Sequence, residues 1–403
     1  MTSANALPKF PIGRRPECPF AQPESYAELR KREPIAKVEL PTGGAAWLVT
    51  RIADAQAVLS DARFSNDSNR GGYPTLQPGQ APSAEERAPM FVEMDPPEHT
   101  RYRRMLIPEF TVRRAKEMRP EIQRQAEELV EEMLAAGDST DLVQTYSLAL
   151  PSVVICGLLG VPYEDRDFFQ SRVSAAVNLA SSPADFEAAF GDIVGYIGKL
   201  VARRMADPTD DLIGRLVTGP LADGALDHEN LSSIGALLLA GGHESTANMI
   251  SLGIVHLINS PELRQLLREH PERYPDVVEE LLRYHSIADV NVQRLALADV
   301  EVGGRLIKAG EGVVVSLGAA NHDESVFAEP AEFDVDRGSR RHIAFGHGYH
   351  QCLGMSLARV ELEIAYRTLF ERIPDIRLDV PLEELPFKHN GMLFGLHALP
   401  VSW

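Results

Sequence analysis

The sequence predicts a mainly helical chain with a small β region, and three observations lead there. Residues 231–258 form its most apolar segment and are hydrophobic nearly all round, the mark of a buried central helix. Residues 115–216 follow helical spacing, with charged stretches such as 121–132 alternating with apolar ones such as 148–159. Strand signals are few and short: 36–40 and 46–50 around a turn at 41–44, then 290–297, 300–307 and 312–317, the middle run turning at Gly303-Gly304. No fixed-period repeat and no low-complexity linker divides residues 1–403, so a single domain is expected.

The 403 residues are 44% hydrophobic and 24% charged, ordinary for a soluble globular protein. No apolar run approaches the ~20 residues that span a bilayer, and residues 1–15 lack the apolar stretch of a signal peptide. Cysteines are few and odd in number (Cys18, Cys156, Cys352), which suits a reducing cytoplasm and no disulfide framework. A formal net charge of −18 argues against nucleic acid, whose binders present basic faces. A cytoplasmic protein that engages no membrane is the expectation.

In chain order, residues 52–60 read as a short helix. Residues 66–83, rich in Gly, Pro, Ser and Asn, read as a long mobile loop of the kind that is usually functional or disordered. Asp95-Pro96-Pro97 signals a helix start. His99 and Arg103, four apart, then share one face, on residue grounds a solvated surface. From His99 to Arg119, seven cations (Arg101, Arg103, Arg104, Arg113, Arg114, Lys116, Arg119) stand against Glu109 and Glu117, a local charge of 7 − 2 = +5. That stretch is either a solvated face or a patch that steers an acidic partner.

The central helix contains a flaw, Gly241-Gly242-His243-Glu244-Ser245-Thr246. Interior glycines cost about 1 kcal/mol each relative to alanine, and a buried acid costs more unless paired or neutral. Contact between helices through small residues accounts for the glycines and leaves Glu244 unexplained. A functional account covers both. Glycines admit a planar cofactor, an interrupted helix holds water, and an acid beside a hydroxyl passes protons. Ser260-Pro261 ends this helix and opens the next, with Ser as cap and Pro at the first helical position. Residues 275–284 read as a helix carrying Glu280 and Arg283, a common i,i+3 pair. Residues 387–397 read as a last hairpin with Gly391, Met392, Leu393 and Phe394 at its tip.

Phe345-Gly346-His347-Gly348-Tyr349-His350-Gln351-Cys352-Leu353-Gly354 sets one cysteine among three glycines. Helical spacing follows, with Leu353, Leu357, Val360, Ile364 and Leu369 on one apolar face. Glycine tolerates positive φ and lets backbone approach a flat ligand. Free N–H groups and the positive end of the helix dipole favour a thiolate at Cys352, a soft ligand for iron. Burial alone accounts for many free cysteines, but a packing cysteine does not need the glycines. Zinc is a second alternative, since His347, His350 and Cys352 are spaced H-x2-H-x-C. No second Cys/His cluster supplies the rest of four ligands.

In every fixed position this stretch resembles the cysteine-ligand loop of the cytochrome P-450 superfamily, F-G-x-G-x-[HR]-x-C-x-G. The other segments agree, in order, over essentially the whole chain. Gly241, Gly242, Glu244 and Ser245 resemble [AG]-G-x-[DE]-T, with serine where the family has threonine and Thr246 one place later. Serine keeps the hydroxyl but loses the methyl that restricts its rotamer, so a leakier proton relay is expected. Glu280 and Arg283 resemble the E-x-x-R clamp. Its usual P-x-R-F partner is here Pro330-Ala331-Glu332-Phe333, an acid in the basic place, which makes Arg337 the substitute.

The resemblance implies the triangular, single-domain P-450 fold, haem b ligated by Cys352, and monooxygenation. It gives His99, Arg103, Arg294 and His350 to the haem propionates, with His342 a further contact, and Gly241, Gly242 and Phe345 to the cofactor pocket. Glu244, Ser245 and Thr246 take proton delivery to dioxygen. It implies a soluble bacterial monomer fed electrons from NAD(P)H by a ferredoxin reductase and a ferredoxin. The relatives it brings in are actinobacterial enzymes of secondary metabolism and xenobiotic conversion. Ala240, Val290, Val292, Leu393 and Phe394 suggest an apolar substrate pocket, hence a hydrophobic small molecule (polyketide, terpenoid or xenobiotic) that is hydroxylated or epoxidised. The alternatives are a peroxide-driven peroxygenase, which typically replaces the acid–alcohol pair, and a haem sensor, expected to lack the Gly-Gly-x-Glu-Ser flaw.

Overall fold

The computed structural model describes residues 7–15, 19–76, 90–176, 181–389 and 391–403. In chain order its elements begin with α1 (Glu24–Arg32), β1 (Ile35–Glu39), β2 (Ala45–Val49), α2 (Ile52–Ser60), β3 (Phe64–Ser65), α3 (Glu98–Leu106), α4 (Val112–Ala136) and β4 (Ser139–Asp141). Then come α5 (Ala149–Leu159), α6 (Arg166–Ala176), α7 (Pro183–Ala206), α8 (Leu212–Leu216), α9 (His228–Ile258), α10 (Pro261–Glu269) and α11 (Tyr274–His285). The chain closes with β5 (Gln293–Ala296), β6 (Val300–Val302), β7 (Arg305–Ile307), β8 (Gly312–Val315), α12 (Leu317–Asn321), α13 (Met355–Arg372), β9 (Arg377–Leu378) and β10 (Pro400–Ser402).

Helix starts follow local chemistry. Thr111 accepts from the Arg114 amide ahead of α4, Ser182 and Asp185 form a capping box on α7, and Asp227 accepts from the Asn230 amide ahead of α9. Each satisfies a backbone N–H that the helix itself leaves open. The expected serine cap of α10 is corrected: Pro261 is at the first position, but the Ser260 side chain makes no capping bond.

The chain forms two compact units. The first comprises residues 1–100 and 283–352. Its sheet runs β1-β2-β8-β5-β3, antiparallel except between β2 and β8. The hairpin read around 41–44 is the β1–β2 pair, with Ile35 opposite Val49. The expected turn at Gly303-Gly304 joins β6 to β7, with φ of 53° and 77°. Apolar groups cover both faces of β8. Val313 and Val315 join Ile35, Ile52, Val58 and Phe64 in one cluster, while Val314 joins Phe10, Tyr26, Val38 and Leu48 in another. Alternate residues of a strand point to opposite sides, which is why one run feeds two cores.

The second unit comprises residues 101–282 and 353–403. Here α9 packs against α5, α7 and α13, and α13 packs against α4. Leu231, Ile234, Leu239, Ile250, Ile254 and Leu257 of α9 are buried, as its all-round hydrophobicity demands. The Tyr366 hydroxyl of α13 donates to the Met249 carbonyl at 2.6 Å. The expected interruption at Gly241-Gly242 does not occur, and α9 runs unbroken from His228 to Ile258. Inside the stretch read as helical, Ser139–Asp141 instead pairs with Pro400–Ser402. A three-residue strand shows no periodicity, and its partner far along the chain decides it. Among the described residues no helix is long and apolar enough to cross a membrane.

Burial pushes the imidazoles of His243 and His256 down to about 4 and that of His322 to about 3, from 6.5. The unfolded chain therefore binds more protons than the folded one once the pH falls below 6.5, and stability is lost on that side. We expect the unfolding free energy from urea titration to hold at neutral pH and to fall as pH drops through the ordinary imidazole range, by a few kcal/mol in total, the midpoint falling with it. A midpoint flat across that range contradicts the burial of these rings as neutral groups.

Candidate active site

The cysteine loop is built from backbone outward. Ile343 N donates to the buried Asn321 Oδ1 at 2.7 Å, Gly346 N to Ile343 O at 2.8 Å, and Cys352 N to Phe345 O at 2.8 Å. The Tyr349 hydroxyl ties the loop to Phe64 O at 3.1 Å. Gly346 and Gly348 both have φ of 72°. Gly348 presses on the end of α2, where any Cβ would overlap the Leu59 carbonyl. The Cys352 thiol is left exposed. The helix behind it begins at Met355 with Gly354 as N-cap, so Leu353 precedes the helix. Among the described residues no group of three His, Cys, Asp or Glu would hold a metal ion, so the H-x2-H-x-C spacing does not assemble a zinc site.

In the same unit the rings of His99 and His350 meet with centroids 4.1 Å apart, and Phe91 stacks on His99 at 4.9 Å. His99 is buried on α3, and Arg103 lies half-buried one turn further on. Arg294 is buried on β5; its Nη1 donates to Asn66 Oδ1 at 2.5 Å, while its Nε has no hydrogen-bond partner among the described residues. Burial lowers the basicity of this guanidinium, and Tyr73, Tyr349 and Asp95 offset part of that. A buried cation with an open donor fits an anionic ligand. His342 Nδ1 accepts from Ala344 N at 3.1 Å, and its ring lies 6.2 Å from Phe345. A polar recess of about 270 Å³ lies beside the loop, lined among others by Arg340, Arg341, His342, His347 and Gln351.

The second unit holds the acid and the hydroxyl. Glu244 is buried and forms an ion pair with Lys388. Ser245 Oγ donates back to Gly241 O at 2.7 Å, which fixes a rotamer that serine alone leaves loose. Thr246 is buried. The two glycines separate: Gly241 has open space where a Cβ would stand, while a Cβ on Gly242 would come within 2.8 Å of Ile155 on α5. Gly242 thus also answers to helix packing. Of the seven cations read as a patch, Arg113 and Arg119 are engaged by Glu117 and Glu363.

The clamp is more distributed than E-x-x-R suggests. Glu280 and Arg283 are fully buried, and Arg283 donates to the carbonyls of Asn321, Pro330 and Glu332. Arg337 donates to the same Glu332 carbonyl at 2.9 Å, so the substitute partner shares an acceptor with Arg283. Residues missed from sequence include Asn321, Asn66 and Glu279. Glu279 receives Arg359 of α13 through two bonds, 2.5 and 3.1 Å. None of the three stands in a pattern that local spacing reveals. Lys388 was passed over too, because a lone lysine beside a hairpin tip looks like surface.

The family model described as Cytochrome P450 matches residues 48–402 of this chain. "Cytochrome P450-SU2" of Streptomyces griseolus is 46% identical over 98% of this chain and 96% of its own length. "Vitamin D3 dihydroxylase" of the same organism is 43% identical over 98% of this chain and 97% of its own. The crystal structure of mycinamicin VIII C21 methyl hydroxylase MycCI from Micromonospora griseorubida, bound to mycinamicin VIII, superposes with a TM-score of 0.93 at 39% identity, covering 98% of this chain and 100% of that one.

The two loop glycines separate in a mutational test. Gly348→Ala, which adds both positive-φ strain and overlap with Leu59, is expected to abolish accumulation of folded protein or to lower its melting temperature sharply. Gly346→Ala has room for its Cβ and is expected to cost about 1–2 kcal/mol. Equal effects in thermal unfolding contradict the packing of Gly348 on α2.

Proposed function

Because this chain belongs to the cytochrome P450 family of monooxygenases, we propose that it hydroxylates or epoxidises a hydrophobic small molecule with dioxygen and electrons from a ferredoxin. The observation that carries this reading is the pinned loop that presents an exposed Cys352 thiol between Gly346, Gly348 and Gly354. Haem b is the cofactor the family implies, and the donor set suits it. Cys352 would ligate iron, Phe345 would lie beside it, and Arg294, with His99, Arg103, His342 and His350, would hold the propionates. The open Nε of buried Arg294 supports that assignment. When bound, the haem supplies activation of dioxygen under the electron-donating thiolate.

The chain's own residues handle protons and substrate. Ser245 Oγ, bonded to Gly241 O, keeps lone pairs free to accept, and Glu244 stands next to it in sequence as the acid. Phe394 is buried and Leu393 half-buried in the segment after α13; with Ala240 they would supply apolar pocket walls. Relatives named for vitamin D3 and mycinamicin VIII point to a bulky polyketide, terpenoid or xenobiotic-like substrate. The recess rimmed by Arg340 and Arg341 would receive the acidic surface of a ferredoxin.

Cys352→Ala is expected to lose the thiolate signature of the reduced, CO-bound absorption spectrum. Wild type is expected to form product with a ferredoxin, its reductase and NAD(P)H, and far less with peroxide alone. Product from peroxide at an equal rate would favour the peroxygenase reading. An unaltered pigment in Cys352→Ala would sink the ligand assignment.

A further inference from the structure

One contact in the second unit is not required by any family pattern met above. Lys388 Nζ ion-pairs with Glu244, the acid of the acid–alcohol pair, and also donates to Asn248 Oδ1 at 3.0 Å. Both side chains of the pair are largely withdrawn from water, 16% exposed for Lys388 and 5% for Glu244. Glu244 and Asn248 are one turn apart, so a single ammonium bridges one face of α9.

The lysine reaches that face on a segment shaped to deliver it. Phe387 pairs with Leu396 and stacks on Phe394 at 5.6 Å, and Lys388 N donates to Gly395 O at 2.8 Å. Gly395 sits so close to α9 that any Cβ there would overlap the Asn248 amide. Two other titratable groups act on this charge pair. His243, buried on α9 itself, is kept neutral by burial, and neither ring nitrogen has a hydrogen-bond partner among the described residues. His397, beyond the paired segment, is lowered by burial and then by the Lys388 charge, with His389 adding to that. Neither imidazole replaces the ammonium, and among the described residues Lys388 is the one side chain bonded to Glu244.

We propose that Lys388 is a positioning residue for Glu244, holding the acid as a carboxylate aimed at the 387–396 segment, so that proton delivery waits on the opening of this ion pair. The proposal rests on the monooxygenase reading above. A carboxylate bonded to an ammonium is acceptor only. It must gain a proton before it gives one, and the Lys388 contact must loosen first. Ser245 is likewise engaged, on Gly241 O. Both members of the relay are therefore held in check at rest, which opposes the leak expected of serine in place of threonine.

The test replaces the charge and reads the carboxyl directly. In Lys388→Met a buried Glu244 without its counter-charge is expected to take up a proton, because burial disfavours the ionised form. Infrared difference spectra should then show a protonated carboxylic acid band that wild type and Lys388→Arg lack, and that disappears in Lys388→Met/Glu244→Gln. Product formed per reducing equivalent should fall about tenfold or more in Lys388→Met and stay within about twofold in Lys388→Arg. The pH profile of Lys388→Met should depart from that of wild type. Should Lys388→Met not accumulate as folded protein, Lys388→Gln, which keeps a donor for Asn248 without the charge, is read in its place. A neutral variant with no new acid band and with wild-type coupling and pH profile overturns the proposal. A wild type without the thiolate spectrum overturns the monooxygenase reading instead, and leaves the infrared result standing.

Discussion

The hydrogen bond from the Ile343 amide to the buried side chain of Asn321 is the constraint on which the cysteine loop depends. Asn321 is itself held, through its carbonyl by Arg283 and through its side-chain amide by Ser286. The chain of bonds therefore runs from the fully buried guanidinium of Arg283 on α11, through α12, to Ile343 just ahead of the loop. Each link is a buried polar group that would be costly to leave unmet. At the other end Gly348 closes on Leu59. A loop fixed at both ends presents its thiol in one place.

The same economy holds for the charged groups around the loop. Asn66 approaches Arg294 because Asp95 grips the chain just before it, accepting from the Ser65 hydroxyl and from the Asn66 amide. Asp95 was read as the start of α3, and its carbonyl does accept from His99 N, but its carboxylate serves the preceding strand. One short acidic turn thus sets the position of His99 and of the partner of Arg294. The buried guanidinium is left with a donor in hand, an arrangement that makes sense for an anion and is wasteful otherwise.

In the second unit the logic is that of close helices. Gly242 lets α9 approach α5, and Tyr366 binds the Met249 carbonyl from α13. A helix so enclosed has little room for a charge. Glu244 is tolerated because an ammonium arrives from the far end of the chain to meet it, and a pair of this kind stands only while both partners are present.

Much was legible in order along the chain. Periodicity marked α9 and α13, turn glycines marked the hairpins, and the spacing of Phe345, Gly346, Gly348, Cys352 and Gly354 disclosed the loop and the family it resembles. These are local signals, decided within a few residues. Whether α9 is broken at its glycines, that Ser139–Asp141 is a strand, which acid Lys388 answers, and which side chain carries the loop were not legible. Each joins residues far apart in sequence, and no propensity or spacing encodes a partner a hundred residues away. The sequence by itself thus determined most of the element types and the family. Only the tertiary structure decided which of those groups are paired, since burial alone makes an unmatched charge or amide expensive enough to choose its neighbour.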